Sequence, residues 1–456
     1  MPTMAKSRTM TLAVGFLGLG ATAALAGPVN YGLVATVGLP VTSVNNQGGN
    51  FTAFDIGFVD PLTGNYYIAD RSNASVDIIN GATNTVLGQA GVGVFGGQNA
   101  TTAQSGPDGV VVVNNGSGAT LYAGNGNTSL VQNGIKALSS TLISFNVSNP
   151  ATPTLITSLS TGGINRVDEM AYSGLGNANP AANNLLLAAN NAEPGPPTGS
   201  LPFATLVNVS NGTVVKGNIV IPNTPPPSAG GGLEQPVFDN ATGTFFVSVP
   251  AFNGVGNPGG LAQIDINGNV TKTYDFGALS GGAITGCAPT GIALGGSGNL
   301  LVGCGSKQTV IFNPTANGGA GAIVATLTGV SGSDEVYYNP TTGDFYATGV
   351  DASGNRVIAV ISDTNTPQIL QSINLTALGA GTVNAHSVAV NPLNNDVFVP
   401  LGGSIAGGLQ DTLCPKGCVA VFASTVPEPA TWLMVLAGLL GVVGLSGAAR
   451  RFSSAN

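Results

Sequence analysis

One phrase recurs along this chain, and its spacing constrains the fold more than any other feature. The cleanest copy is Ala385-His386-Ser387-Val388-Ala389-Val390-Asn391-Pro392-Leu393-Asn394-Asn395-Asp396-Val397-Phe398-Val399-Pro400. It reads as a hairpin. Val388 to Val390 is a short β-branched run, Asn391 to Asp396 is turn chemistry, and Val397 to Val399 is the return strand. Gly332 to Ala347 matches it almost position by position, as do Phe54 to Ala69 and Gly232 to Val247. Looser copies start at Pro107, Val167 and Pro289. Aligned on one position ahead of the turn, the seven copies hold Asp55, Asp108, Asp168, Glu234, Thr290, Asp334 and His386. The steps between them are 53, 60, 66, 56, 44 and 52 residues. A period near 50 residues is the signature of a propeller or solenoid.

Each copy continues into a third strand, such as Val76 to Asn80, Leu142 to Asn146 or Val357 to Ile361. Six copies then carry a fourth, for example Thr83 to Leu87, Thr213 to Ile221 and Gln368 to Leu375. The seventh has none, because Val426-Pro427 interrupts it. Tyr31 to Leu39, in contrast, is a strand with no hairpin partner. A chain that begins with one outer strand to spare and ends one short closes into a ring, which removes both open sheet edges. The expectation is an all-β, seven-bladed β-propeller over residues 27–425, with Tyr31 to Leu39 paired beside Val419 to Phe422. With 69 Gly, 28 Pro and only 7% charged residues, the composition suits an all-β exported protein. Asn190 to Thr198 and Pro222 to Ser228 read as Pro-rich surface loops.

Both ends read as address labels. Residues 1–26 have the parts of a secretory signal: Lys6 and Arg8, the apolar stretch Leu12 to Leu25, and Ala24-Leu25-Ala26 as a cleavage site. At residues 426–456, Val426-Pro427-Glu428-Pro429 precedes an apolar run from Ala430 to Ala449, followed by Arg450-Arg451. About 20 apolar residues suffice for a transmembrane helix, and the arginines favour a cytoplasmic end. This order of parts resembles the PEP-CTERM sorting signal of Gram-negative bacteria, with Pro427, Glu428, Pro429, Arg450 and Arg451 as its sorting residues. The resemblance implies an exosortase as partner, transient anchoring in the membrane, release or transfer to the cell surface, and an association with exopolysaccharide.

Four cysteines in an exported chain favour disulfides. Three pairings are open. The local one, Cys287 with Cys304 across a Gly-rich turn and Cys414 with Cys418, is preferred, with a Cys414/Cys418 metal site as the rival.

The aligned position carries the candidate chemistry. Equivalent residues on the first strand of each blade converge on the axis, and Asp55, Asp108, Asp168, Glu234 and Asp334 are carboxylates. His386 is the chain's single histidine. Glu169 and Glu335 sit beside ring members, and Arg166 lies two residues before Asp168. Crowded like charges are costly unless neutralised. A divalent cation is one solution, and Ca²⁺ suits an oxygen-rich ring of roughly six to eight ligands. Raised pKa values, backbone hydrogen bonds or a wet channel are the others.

Pro107-Asp108-Gly109-Val110 and Pro289-Thr290-Gly291-Ile292-Ala293 resemble the Pro-x-Gly-Ile-Ala phrase of NHL and gluconolactonase-like propellers. Ala385 to Val399 is similar to a YVTN-type repeat. Some relatives are Ca²⁺-dependent lactonases or lyases. Their ligand sets do not map onto this chain residue by residue, so the resemblance implies the fold and not the activity.

Residues 27–426 carry 8 Lys/Arg against 19 Asp/Glu, a net of −11, which excludes a nucleic-acid partner. Two function classes follow. One is an exported, exosortase-processed cell-surface or matrix protein whose propeller is a binding or scaffold module, with polysaccharide or matrix proteins as partners. The alternative is a secreted Ca²⁺-dependent lactonase, hydrolase or lyase with its site in the funnel.

Overall fold

The recurring turn explains why the hairpins form where they do. In the computed structural model, Asp60, Asp239, Asn339 and Asn391 occupy the same place in four copies. In each, the side-chain Oδ1 accepts the backbone N–H two residues on, at 2.8 to 3.1 Å. The backbone carbonyl accepts the N–H four residues on, at 2.7 to 2.9 Å. That fourth residue sits at positive φ and is Gly64, Gly243, Gly343 or Asn395. Gly, or failing that Asn, is what the left-handed region accepts.

The structure describes residues 30–424, except 100–103, 115–117, 127–130, 133–134, 137–139, 164, 175–176, 192–200, 226–231, 255, 306–307, 381–384 and 404–410. The proposed signal (1–26) and the sorting tail (426–456) lie outside the described residues, as does most of the proline-rich loop after Asn191. Among the described residues no helix is long and apolar enough to cross a membrane.

Seven four-stranded antiparallel sheets are present. Blade 1 is Gly57–Val59, Tyr66–Asp70, Ser75–Asn80 and Thr85–Ala90. The innermost strands of blades 2 to 7 are Val110–Asn114, Arg166–Tyr172, Pro236–Asp239, Pro289–Leu294, Val336–Asn339 and Ala389–Val390. Each touches the innermost strand of both neighbours, and Ala389–Val390 meets Gly57–Val59, so the ring is closed. The chain forms an all-β seven-bladed propeller.

The closing strand pairs as expected, though it ends two residues earlier than the apolar pattern suggested. Tyr31–Val37 runs antiparallel to Cys418–Ser424, with Leu33 opposite Phe422 and Val37 opposite Val419. The Tyr31 and Tyr346 hydroxyls are 2.7 Å apart, and Gln371 bonds both backbone groups of Tyr31. Between blades 1 and 7, Val59, Tyr66 and Ile68 pack on Phe398, Val419 and Val421, with the Tyr66 and Phe398 rings stacked at 4.9 Å. Each such buried side chain contributes roughly 1.5–3 kcal/mol.

Both local disulfides are formed, Cys287–Cys304 at a Cα separation of 4.9 Å and Cys414–Cys418 at 5.5 Å. All four cysteines are therefore paired, which removes the Cys414/Cys418 metal site.

Candidate functional site

The ring residues stand at or just ahead of the innermost strands, where neighbouring blades are tied by backbone hydrogen bonds. Gly109 N–H donates to Asp168 O at 2.8 Å and Gln235 N–H to Thr290 O at 3.0 Å. The N–H groups of Asp334 and Glu335 both donate to His386 O, at 3.0 and 3.1 Å. This close approach explains the glycine of the Pro-x-Gly phrases. A Cβ on Gly109 would lie 2.1 Å from Asp168 O, and one on Gly291 would lie 2.7 Å from Asp334 O.

The side chains converge. Carboxylate oxygens of Asp55, Asp108 and Asp168 lie within 4.8 Å of one another, and so do ligand atoms of Asp55, Asp334 and His386. Asn191 Nδ2 donates to Asp168 at 2.6 Å and to Glu234 at 2.9 Å, which links blades 3 and 4. Thr290 is the exception. Its hydroxyl donates to the backbone carbonyl of Ser333 and is spent on the wall.

Two arginines neutralise much of this cluster. Arg71, in the loop between Tyr66–Asp70 and Ser75–Asn80, donates through Nη2 to Asp55 at 2.6 Å. Through Nε, at 3.0 Å, and Nη2 it also holds Asp108. Arg166 donates to Asp168 at 2.7 Å. Three buried carboxylates share two guanidiniums, so the pairing leaves one negative charge in excess. Burial pushes Asp108 up to about 6 against the pull of Arg71, and it raises Asp55 in the same way. At Asp168 burial is outweighed by Arg166, Arg71 and Asn191, which hold it below the usual carboxylate value. His386 stacks on Phe54 with ring centroids 4.7 Å apart, and its Nε2 is 3.9 Å from Asp334. Burial holds it neutral, with its pKa lowered against the pull of Asp334. Arg71 gave no signal in the sequence because it lies off the repeat register. The clue would have been a basic residue following directly on Asp70 at a strand end, in a chain with so few charges.

The residue after each ring position makes a second tier: Ile56, Gly109, Glu169, Gln235, Gly291, Glu335 and Ser387. Three of these are long and polar. Glu335 Oε2 accepts from Gly57 N–H at 3.0 Å and from the Ser387 hydroxyl, reaching two blades at once. Burial pushes Glu335 up to about 8, against those hydrogen bonds. Gln235 Oε1 accepts from Ile292 N–H at 2.7 Å. Glu169 is 2% exposed, and its Oε2 has no hydrogen-bond partner. Burial raises its pKa well above the ordinary value, reinforced by Asp334, Asp168, Glu234 and Glu335.

Glu169, Gln235 and Glu335 line one end of an axial cavity of about 590 Å³. Its walls are apolar and aromatic, with Phe58, Val112, Met170, Phe238, Ile292 and Tyr337 among them. It runs down the inner strands to the hairpin turns, where Pro61, Leu62, Pro340 and Pro392 line it. The channel thus has an acidic mouth on one side of the second tier and an apolar chamber on the other.

The acidic mouth suits Ca²⁺ poorly. Arg71 and Arg166 occupy its Asp55–Asp108–Asp168 side. The corner left to a cation, Asp55, Asp334 and His386, offers three side chains, one of them a nitrogen ligand, where Ca²⁺ takes roughly six to eight oxygens.

No protein-family model matches the chain, and none of the curated proteins compared with it matches. Solved structures do. The RRP9 WD40 repeats share 10% identity at a TM-score of 0.54, over 85% of this chain and 99% of that one. The WD40 beta propeller domain of Doa1 shares 14% identity at a TM-score of 0.50, over 87% and 97%. At such identities the likeness is one of fold alone. Fold and site together define a closed seven-bladed propeller with an acidic mouth and an apolar axial chamber.

Proposed function

We propose that the chain is an exported, exosortase-sorted protein, held at the cell surface or in the extracellular matrix, whose propeller is a non-enzymatic binding module linked to exopolysaccharide. The observation that carries the binding reading is how the funnel's charges are used. Arg71 and Arg166 are spent on Asp55, Asp108 and Asp168, the four cysteines on disulfides, and the hydroxyls of Thr290 and Ser387 on neighbouring groups. His386 Nδ1 has no partner. Nucleophilic catalysis needs a base within hydrogen-bond reach of a nucleophile; in the funnel the Ser387 hydroxyl does meet Glu335, but both side chains are also engaged by Gly57 N–H, as a tie between blades. Export and sorting rest on the two terminal segments of the sequence.

The alternative, a cation-dependent lactonase, hydrolase or lyase, retains one supporting observation, the Asp55–Asp334–His386 corner. Fractionating the native host and retaining secreted polysaccharide on the purified protein test the main reading. Surface material should lack peptides from 439–450 and should bind the host's polysaccharide. Full-length chain confined to the cytoplasm would end the export reading, and turnover of lactones by the purified protein would favour the alternative.

A further inference from the structure

We propose that the axial chamber is a binding site for an organic ammonium ion with an apolar body, its charged head seated at Glu169. The proposal goes beyond the surface role above and concerns the other side of the channel. A volume of about 590 Å³ falls within the usual range for small-molecule sites, roughly 300–1,000 Å³, and an apolar wall with a few convergent polar groups is their usual lining. Phe58, Phe238 and Tyr337 are among its lining residues, and aromatic walls accept an alkyl or aryl body and can attract a cation.

The choice of a cation over an anion or a neutral ligand follows from where the arginines are. Both are committed on the mouth side, Arg71 to Asp55 and Asp108, Arg166 to Asp168. Among the described residues no basic group pairs with Glu169 or Glu335. Glu169 lines the chamber, and its Oε2 is buried without a partner. Its surroundings, Asp168, Glu234, Asp334 and Glu335, are all acidic and all push its proton affinity up. Among the described residues Glu169 thus has no cationic partner of its own. An incoming ammonium group would replace the proton on Glu169, supply the missing hydrogen bond, and gain the field of the cluster. An anion would meet that field with the wrong sign.

The test is calorimetric titration of the full chain with hexylammonium and 2-phenylethylammonium, each beside its uncharged counterpart, hexan-1-ol and 2-phenylethanol. At pH 7 an ammonium should bind roughly tenfold or more tighter than its alcohol, the margin of a charge-assisted over a neutral hydrogen bond. Its apparent heat should change with the buffer's ionisation enthalpy, because Glu169 loses its proton on binding. Glu169→Gln keeps the shape of the neutral acid. It should weaken ammonium binding roughly tenfold and abolish the proton release, with unliganded melting unchanged or higher. Alcohols that bind as well as amines, heats independent of buffer, undiminished ammonium binding by Glu169→Gln, or no binding of any probe would each overturn the proposal. The amine–alcohol comparison needs no variant, so it stands even if Glu169→Gln fails to fold. Polysaccharide retention and surface location are separate readouts.

Discussion

Removing the Arg71 guanidinium is the most informative single perturbation. Arg71→Met keeps much of the stem and deletes the charge between Asp55 and Asp108, which are 5% and 0% exposed. Breaking a buried ion pair from one side costs about 3–5 kcal/mol, because a charge is left buried without its partner. The same deletion at an exposed pair costs about 0–1 kcal/mol. In a propeller of this size, a loss near the middle of that range lowers the melting temperature by roughly 5 °C. The pH dependence has a definite sign. Burial already raises Asp55 and Asp108 above the ordinary carboxylate value in the folded protein, Asp108 to about 6. Without Arg71, which lowers both, they move further up. A carboxylate raised on folding binds more protons in the native than in the unfolded state, so stability rises as pH falls from the folded pKa towards the unfolded one. The deficit of the variant should therefore be largest above pH 7 and shrink between about pH 7 and pH 4. Urea unfolding at pH 7.5 and pH 5 measures it. Circular dichroism is the suitable signal, since the chain's single tryptophan, Trp432, follows the last propeller strand, Cys418–Ser424, in the sequence. A loss under about 1 kcal/mol at pH 7.5, or one that grows on acidification, would refute the account of a buried, proton-retaining cluster.

Three further outcomes follow from the same structure. Deleting residues 30–38 removes the strand paired with Cys418–Ser424 and leaves an unpaired edge, so light scattering should show aggregates; a monomer with unchanged melting would refute ring closure through this strand. Replacing Cys287 and Cys304 by alanine, whose bridge spans a separation of 17 residues, should cost about 3 kcal/mol by loop entropy. The Cys414–Cys418 bridge, with a separation of 4, should cost less in the same calorimetric comparison. Millimolar Ca²⁺ should leave the melting temperature unchanged, since Arg71 and Arg166 hold the carboxylates; a rise that tracks free Ca²⁺ would show by linkage that the cation displaces them.

The architecture was legible because the repeat signal is backbone chemistry. The Asn/Asp turn with its positive-φ residue four positions on is written locally, and counting strands left one surplus at the start and one deficit at the end. Strand limits were less legible. Thr83 to Leu87 was expected where Thr85–Ala90 forms, because the turn at Asn80 to Asn84, with Asn84 at φ 55, takes up the first residues. Asn190 and Asn191 were expected in a loop, yet both belong to Leu185–Asn191 and are buried. Each finds side-chain partners there, Asn190 with Thr161 and Thr205, and Asn191 with Asp168 and Glu234. Hydrogen bonds of that kind are set by neighbouring blades and leave no trace in local pattern.

The site divides along the same line. Repeat register brought Asp55, Asp108, Asp168, Glu234, Asp334 and His386 to one mouth, because position in a repeat becomes position around an axis. Register alone does not say what the charges do there, since that depends on groups arriving from loops. Arg71 comes from such a loop, and it offsets part of the charge that a cation in the mouth would otherwise neutralise. Carrying the same alignment forward by one residue produces Ile56, Gly109, Glu169, Gln235, Gly291, Glu335 and Ser387. The two glycines yield space where neighbouring backbones meet, and Gln235 and Glu335 reach into backbone N–H groups of other blades. Glu169 alone among the three long side chains keeps an oxygen without a partner. Unsatisfied buried polar groups are costly, and Glu169 combines one with a place in the lining of a chamber of ligand size, which is why the ammonium proposal rests on it.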